Sequence, residues 1–145
     1  MEQACTAHLR EVGALVDTAQ CREVDFDEQE FDVEASVIIP VFNRAKTIAD
    51  AVESALSQKT SFRYNVIVVD NHSTDGTSDI LARMSAEYNN ATGYTIDSKL
   101  VVLVPERYDL GIGGCWNEAV YSTFCGRFAV QLDSDDLYSS PKTLQ

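Results

Sequence analysis

The sequence predicts a doubly wound α/β fold, in which a mostly parallel sheet of about four strands is flanked by helices. Three observations favour this class. Four short apolar runs are rich in β-branched residues, amphipathic helical patterns separate them, and polar or glycine-rich loops follow them. With 145 residues, of which 45% are hydrophobic, the chain is long enough for one domain with its own core.

The composition limits the partners and locations to consider. The formal net charge is −12 at pH 7, which argues against nucleic acid or an anionic membrane surface as the main partner. No stretch approaches the length of a transmembrane span, and the N-terminus lacks the basic-then-apolar pattern of a signal peptide. We therefore expect a cytoplasmic protein whose four cysteines are reduced thiols.

The first 34 residues are predicted to form an acidic leader, separate from a main part over residues 35–145. Apolar residues at a three-four spacing predict an amphipathic helix over residues 1–22, with Gly13 as its weak point. The acid-rich segment over residues 21–34 is typical of a solvated linker. Packing, linkage and self-association are the roles that we consider for this leader.

The main part alternates predicted strands and helices. Strands are predicted over residues 35–39, 64–69, 100–104 and 128–132. The first is expected to stop at Pro40, which has no backbone N–H, and Asn43 is expected to cap the following helix. Residues 89–98 are typical of a polar loop, and Pro141 is expected to start a further helix.

A glycine-rich turn, Gly111-Ile112-Gly113-Gly114, is predicted to open the helix before the fourth strand. Its glycines permit close backbone approach either to a ligand or to another strand, and the sequence does not choose between the two. The buried face of that helix is expected to comprise Trp116, Ala119, Val120 and Phe124.

The chemically functional residues fall at the carboxyl ends of the strands. Ligands of doubly wound sheets bind outside these ends, where the strand order reverses. With the common order 3-2-1-4, residues 40–43 and 133–136 are neighbours at that point, and Asp70 and Asn71 lie close by. Asp70 is suited to a base or ribose, and Asn71 to the edge of a pyrimidine, whereas Ser73, Thr74 or Asp75 can cap the next helix.

Three carboxylates in four residues, at Asp133, Asp135 and Asp136, indicate a metal-and-phosphate site. Like charges this close need a cation or hydrogen-bond donors, and Mg²⁺ or Mn²⁺ binds carboxylate and phosphate oxygens. The alternative is an acidic turn that caps a helix. The basic residues that could offset diphosphate charge are Arg44, Lys46 and Arg107, each of which has a solvated surface role as its alternative.

Together, four blocks of the sequence resemble the N-terminal, donor-binding half of the family 2 inverting nucleotide-sugar glycosyltransferases, which have the GT-A fold. The blocks are SVIIPVFNRAKTIADAVESALSQ, VIVVDNHSTDGT, LGIGGCWNEAV and FAVQLDSDDLY. The resemblance implies transfer of a sugar from a nucleoside diphosphate, most often UDP, to an acceptor hydroxyl with inversion, as in polysaccharide biosynthesis. The acceptor, whether glycan, lipid or protein, is left open.

The resemblance also assigns residues. It implies nucleotide-sugar binding by Pro40, Val41, Phe42, Asn43, Asp70, Asn71, Gly111, Gly113, Asn117, Asp133 and Ser134. It implies that Asp135 and Asp133 hold Mn²⁺ or Mg²⁺ in a D-x-D motif. Phe42 stands where the family usually has Tyr, and Trp116 stands where it has Arg. The catalytic base is expected beyond residue 145, in an acceptor half that this chain lacks, so we expect little transfer by this chain alone.

Two alternatives remain at this point. A nucleotidyltransferase that makes nucleotide sugars would carry, after the first strand, a loop rich in glycine and basic residues that holds a triphosphate. The segment PVFNRAKT, which follows the first strand here, contains no glycine. A non-catalytic α/β module would only pack against partners and would bind no nucleotide.

Overall fold

The computed structural model describes residues 2–21, 31–89 and 99–145. The chain divides into two compact units, Met1–Glu30 and Phe31–Gln145. Most of the predicted acidic linker (residues 22–30) and most of the predicted polar loop (residues 90–98) lie outside the described residues. The division into a leader over residues 1–34 and a main part over residues 35–145 stays a prediction.

In the first unit, helix α1 runs over Glu2–Glu11 and a short 3-10 helix over Thr18–Gln20. A single helix over residues 1–22, as predicted from the apolar spacing, is therefore too long. The helix ends because Gly13 takes the left-handed conformation, with a φ of 70°. The N–H groups of Gly13 and Ala14 donate to the carbonyls three and five residues earlier, which is the Schellman pattern of a helix C-terminus.

The second unit is built on a parallel sheet with helices on both faces. The strands are β1 at Ala35–Val41, β2 at Tyr64–Asp70, β3 at Leu100–Leu103 and β4 at Phe128–Gln131. The helices are α2 at Ile48–Leu56, α3 at Thr77–Asn89 and α4 at Ile112–Val120. The four strands are all parallel and lie in the order β3-β2-β1-β4, which confirms the predicted α/β class and the predicted order.

The central strands β1 and β2 are buried along their whole length. Successive residues of a strand point to opposite faces of the sheet. On one face, Val37 and Ile39 pack with residues of α2 and α3. On the other face, Ile38 packs with Cys115 and Ala119 of α4. The outer strand β4 is mostly exposed, so β1 and β2 form the buried centre of the sheet.

Pro40 lies inside β1 and pairs with Val69, so the prediction that the strand stops at residue 39 is wrong. Alternate residues of a parallel strand hydrogen-bond to opposite neighbours, and Val41 bonds toward β2 through its carbonyl. Pro40 therefore faces β4, whose pairing with β1 ends at the register Ile38 to Gln131. A missing N–H costs no ladder hydrogen bond at this position.

Two further expectations about helices need correction. Helix α4 buries Cys115 and Ala119, four residues apart, whereas Val120 is 39% exposed. Trp116 packs at the edge of the same core. The helix expected after Pro141 is not formed, because residues 139–143 make turns held by the Ser140 and Thr143 side chains.

A buried polar network holds β1, β2 and the segment before β4 together. The Ser36 hydroxyl, fully buried, donates to Asn65 Oδ1 at 2.6 Å and accepts the Gly126 N–H at 2.8 Å. The Asn65 amide donates to the Phe124 carbonyl at 2.8 Å. A Cβ on Gly126 would lie 2.7 Å from the Val33 carbonyl oxygen, so this close backbone approach requires glycine.

We predict that Ser36→Ala lowers the free energy of unfolding by about 1–3 kcal/mol, because Asn65 Oδ1 and the Gly126 N–H both lose their buried partner. Urea denaturation followed by circular dichroism measures this change. The matched control is Ser57→Ala at an exposed position after α2, which should stay within about 0.5 kcal/mol of the parent. Equal midpoints for the two variants would contradict the role given to this network.

Candidate functional site

Asn43 joins the loop after β1 to the loop after β2. Its φ of 53° lies in the left-handed region, which Asn tolerates. The Asn43 N–H donates to Ser73 Oγ at 2.9 Å, and Asn43 Oδ1 accepts the Thr74 N–H at 2.8 Å. The prediction that Asn43 caps the following helix is wrong, because Thr47 occupies that position.

A second set of hydrogen bonds joins the same two loops. The Arg44 N–H donates to Thr77 Oγ1 at 2.9 Å, and the Ala45 N–H donates to Asp75 Oδ2 at 3.0 Å. Asp75 Oδ1 accepts both the N–H and the hydroxyl of Thr77 at the start of α3. The Thr77 hydroxyl and then the Ala45 N–H lower the pKa of Asp75, because both stabilise the carboxylate.

Asp70 is the last residue of β2, and its side chain is used inside the protein. The residue is 1% exposed. Its Oδ1 accepts the Ser73 N–H at 3.0 Å, and its Oδ2 accepts the Ser78 hydroxyl. Asp70 therefore holds the loop after β2 against the first turn of α3. Direct contact with a base or ribose, which the sequence suggested for Asp70, has no exposed surface to support it here.

Asn71 reaches across to the loop that precedes α4. Its N–H donates to the Val41 carbonyl at 2.9 Å, and its Nδ2 donates to the Leu110 carbonyl at 2.7 Å. Its Oδ1 is buried and has no hydrogen-bond partner among the described residues. A buried acceptor of this kind is costly when it stays unpaired, so Asn71 offers a hydrogen-bonding position to a ligand.

A cavity of about 250 Å³, here called the strand-end cavity, opens at the carboxyl ends of the central strands. Its lining residues are Pro40, Val41, Phe42, Arg44, Asn71, Ile112, Cys115 and Ser134. Five of these are residues that the family resemblance assigned to nucleotide binding. Ile112 and Cys115 were not foreseen as lining residues, although Ile112 lies within the glycine-rich turn and Cys115 directly follows it, which is the signal that could have found them. Burial raises the pKa of the Cys115 thiol.

The glycines and Asn117 are placed differently from one another. Gly111 precedes α4 at its N-cap and Gly113 lies in its first turn, and a Cβ on either would meet no atom within 4 Å. Among the described residues, no neighbouring atom would exclude a side chain at these two positions. Asn117 is exposed and lines a separate cavity with Val104 and Tyr121. The structure does not bring Asn117 to the strand-end cavity.

The acidic turn after β4 is anchored at its centre. Ser134 is 8% exposed and lines the strand-end cavity. Its carbonyl accepts the Thr47 hydroxyl at 2.9 Å, which ties the turn to the start of α2. The Asp136 N–H donates to the Asp133 carbonyl at 3.1 Å and closes the turn. Both aspartates are exposed, so their carboxylates are available to a cation or to solvent.

Arg44 forms an ion pair with this turn. Its Nε lies 3.9 Å from Asp135 Oδ2, with both side chains about half exposed. A pair of this exposure contributes little to stability. Arg107, in contrast, makes a two-point contact with Asp109 at 2.9 and 2.7 Å, which raises the pKa of the Arg107 guanidinium. Of the three basic residues considered from sequence, Arg44 lines both the strand-end cavity and a second cavity that contains Asp135, whereas Lys46 lines only the second.

In the described part of the chain, no three Asp, Glu, His or Cys side chains are grouped closely enough to hold a metal ion alone. Asp133 and Asp135 are nevertheless exposed carboxylates on one turn. Mg²⁺ is commonly bound by one or two carboxylates together with substrate phosphate oxygens. This donor set therefore fits a divalent cation that is completed by a diphosphate.

Residues 36–145 match the sequence profile of the glycosyl transferase family 2. The chain belongs to this family. It is 35% identical over 107 residues to an Escherichia coli UDP-Glc:alpha-D-GlcNAc-diphosphoundecaprenol beta-1,3-glucosyltransferase, WfaP, with 74% of this chain and 37% of that protein covered. It is also 35% identical over 107 residues to TuaG of Bacillus subtilis, a putative teichuronic acid biosynthesis glycosyltransferase, covering 74% of this chain and 38% of TuaG.

The fold of this chain is similar to that of solved structures. The S. aureus TarS 1–349 structure in complex with UDP matches with a TM-score of 0.58 and 31% identity, covering 77% of this chain and 30% of that one. The complex of TarS 1–349 with UDP-GlcNAc matches with a TM-score of 0.55 and 32% identity, covering 72% and 27%. The family 2 resemblance and the GT-A donor-half fold are thereby confirmed.

The chain spans less than two-fifths of the length of WfaP and TuaG. Within the described residues, no helix is long and apolar enough to cross a membrane.

We predict that, in the acid range, the free energy of unfolding of Asp75→Asn changes less with pH than that of the parent protein. The pKa of Asp75 is lowered below its ordinary value of 3.8 in the folded protein. Its carboxylate therefore stabilises the fold above that value, and the contribution is lost as pH falls through the folded-state pKa. Urea midpoints of the parent and the variant should differ at pH 7 and converge as the pH falls through the folded-state pKa of Asp75.

The control for this series is Asp79→Asn, at an exposed position in the first turn of α3. Its side chain makes no hydrogen bond to the described residues, so its pH profile should follow that of the parent protein. A constant offset between Asp75→Asn and the parent at every pH would contradict the role assigned to the Asp75 carboxylate.

Proposed function

We propose that this chain is the donor-binding part of an inverting glycosyltransferase that takes a UDP-sugar and transfers the sugar to an acceptor hydroxyl. The observation that carries the proposal is the strand-end cavity, which gathers Phe42, Asn71 and Ser134 from three strand ends in a chain that belongs to family 2. Because the chain spans only part of its relatives, activity is proposed for the whole protein to which such a domain contributes.

UDP is the nucleotide that the comparisons favour. WfaP is named for a UDP-Glc donor, and the TarS structures hold UDP or UDP-GlcNAc. In this chain, Phe42 supplies an apolar ring and Asn71 supplies an unpaired amide oxygen at the cavity. An acceptor atom beside a ring suits a base that carries an N–H on its edge, as uracil does.

We assign the proposed nucleotide-site residues different parts. Pro40, Val41, Phe42 and Ser134 shape the strand-end cavity. Gly111 and Gly113 leave space at the start of α4, and Asn43 and Asp70 position the two loops rather than contact the donor. Asn117 is not proposed as a donor contact, because it lines a separate cavity.

Asp133 and Asp135 would hold Mn²⁺ or Mg²⁺ together with diphosphate oxygens. When bound, such a cation stabilises the negative charge that develops on the departing diphosphate. Arg44 lies between the strand-end cavity and Asp135, and its guanidinium is placed to share that charge.

In the proposed reaction, the acceptor oxygen forms a bond to the anomeric carbon from the face opposite the nucleotide, and the bond from that carbon to the diphosphate oxygen breaks. The acceptor proton passes to a general base. No residue described here is assigned as that base. The proposed location is the cytoplasm, where the four cysteines would remain free thiols.

Titration calorimetry of UDP, with and without MnCl₂, tests the proposal on this chain. We expect binding that requires Mn²⁺, and a loss of affinity of at least about tenfold for Asp135→Ala in the presence of Mn²⁺. The matched control is Asp50→Ala, an exposed aspartate in α2 that should bind UDP as the parent does.

Absence of UDP binding by a chain that circular dichroism shows to be folded would contradict the proposal and would favour a non-catalytic α/β module. Equal affinity with and without Mn²⁺, unchanged in Asp135→Ala, would leave the nucleotide site standing and would refute the metal assignment.

A further inference from the structure

The loop after β2 and the loop after β3 meet through a pair of stacked rings. The His72 and Tyr108 ring centroids are 3.8 Å apart, with 14° between the ring planes. His72 Nε2 lies 3.1 Å from the Arg107 carbonyl oxygen. A carbonyl only accepts hydrogen bonds, so His72 Nε2 carries a proton and donates it there. Two contacts therefore fix the His72 ring.

The His72 backbone is in the left-handed region, with a φ of 62°. Glycine takes this conformation more readily than any residue with a side chain. An imidazole is nevertheless present at this position, and its ring is engaged by both contacts described above. The backbone conformation alone would favour glycine at position 72, so the imidazole ring is the feature that needs an explanation.

A cavity of about 420 Å³ lies against this ring pair, and we call it the aromatic cavity. Its lining residues are Phe42, Asn71, His72, Thr74 and Tyr108. Its volume lies within the usual range for small-molecule sites, roughly 300–1,000 Å³. Phe42 and Asn71 also line the strand-end cavity, so the two cavities are neighbours.

The lining of the aromatic cavity differs in charge from that of the strand-end cavity. None of its five lining residues is an Asp, Glu, Lys or Arg. Arg44 lines the strand-end cavity and lies beside Asp135 of the acidic turn. An uncharged planar ligand therefore suits the aromatic cavity, and a diphosphate suits the charged side near Arg44.

We propose that His72 and Tyr108 form a second aromatic wall for the nucleobase of the donor in the aromatic cavity, in addition to Phe42. This inference rests on the proposed nucleotide-binding function and adds two residues to it. Tyr108 is 81% exposed, so its ring surface is open to a ligand although one face is stacked on His72. Asn71 lines both cavities and would meet the edge of the base.

The test compares UDP with inorganic pyrophosphate, which has no base, by calorimetry in the presence of MnCl₂. We expect Tyr108→Ala to weaken UDP binding by about fivefold or more, as stacking on one aromatic ring contributes, and to leave pyrophosphate binding unchanged. Tyr108→Phe keeps the ring and should bind UDP as the parent does. His72→Gly keeps the positive φ, removes the ring and should also weaken UDP binding selectively.

The matched control is Tyr121→Ala. Tyr121 is 84% exposed and lines the separate cavity that contains Asn117, so its loss should change neither affinity. Parent-like UDP binding in both Tyr108→Ala and His72→Gly would overturn the inference and leave the proposed function intact. Equal losses for UDP and pyrophosphate would also overturn it, since the rings would then only support the loops. A folded parent chain that binds no UDP would refute both proposals.

Discussion

The parallel pairing of β1 with β2 is the constraint on which the other features depend. Both strands are buried on both faces, and their register runs from Ala35 opposite Tyr64 to Val41 opposite Asp70. A shift by one residue would exchange the side chains of the two faces, which pack on different helices. Because the register is fixed, the two strands end together, and the Asn71 N–H continues the ladder to the Val41 carbonyl. The loops that follow therefore start side by side.

Most polar side chains at these strand ends are hydrogen-bonded within the protein, and one has an amide oxygen without a partner among the described residues. Asp70 is buried, and its two carboxylate oxygens accept hydrogen bonds from the loop after β2 and from α3. Asn43 and Asp75 satisfy backbone N–H groups of the opposite loop. This mutual pairing provides hydrogen-bond partners for backbone groups that lie outside the sheet and the helices. Asn71 Oδ1 stands apart, since it is buried at the cavity and remains unpaired among the described residues.

Charge is distributed unevenly around the candidate site. The acidic turn is anchored by the hydrogen bond between the Thr47 hydroxyl and the Ser134 carbonyl. Because this anchor uses no carboxylate, the aspartates of the turn can remain exposed. Arg44 is half exposed beside Asp135 and is screened by solvent. The aromatic cavity next to it has an uncharged lining. A ligand with a planar base at one end and phosphates at the other matches the uncharged aromatic cavity and the charged side near Arg44. This match links the proposed donor binding to the proposed role of His72 and Tyr108.

The sequence alone determined the α/β class and the family, because apolar periodicity and the order of motifs can be read along the chain. The strand order followed only from assuming the order that is common in this class. The sequence also identified the strand-end residues that line the cavity, since parallel strands end at one edge. Only the tertiary structure decided that Pro40 continues β1, that Asp70 is enclosed, that Asn117 lies in another cavity, and that His72 stacks on Tyr108. Each of these depends on which neighbour a residue faces, and partners about 30 residues or more apart leave no pattern in a single sequence.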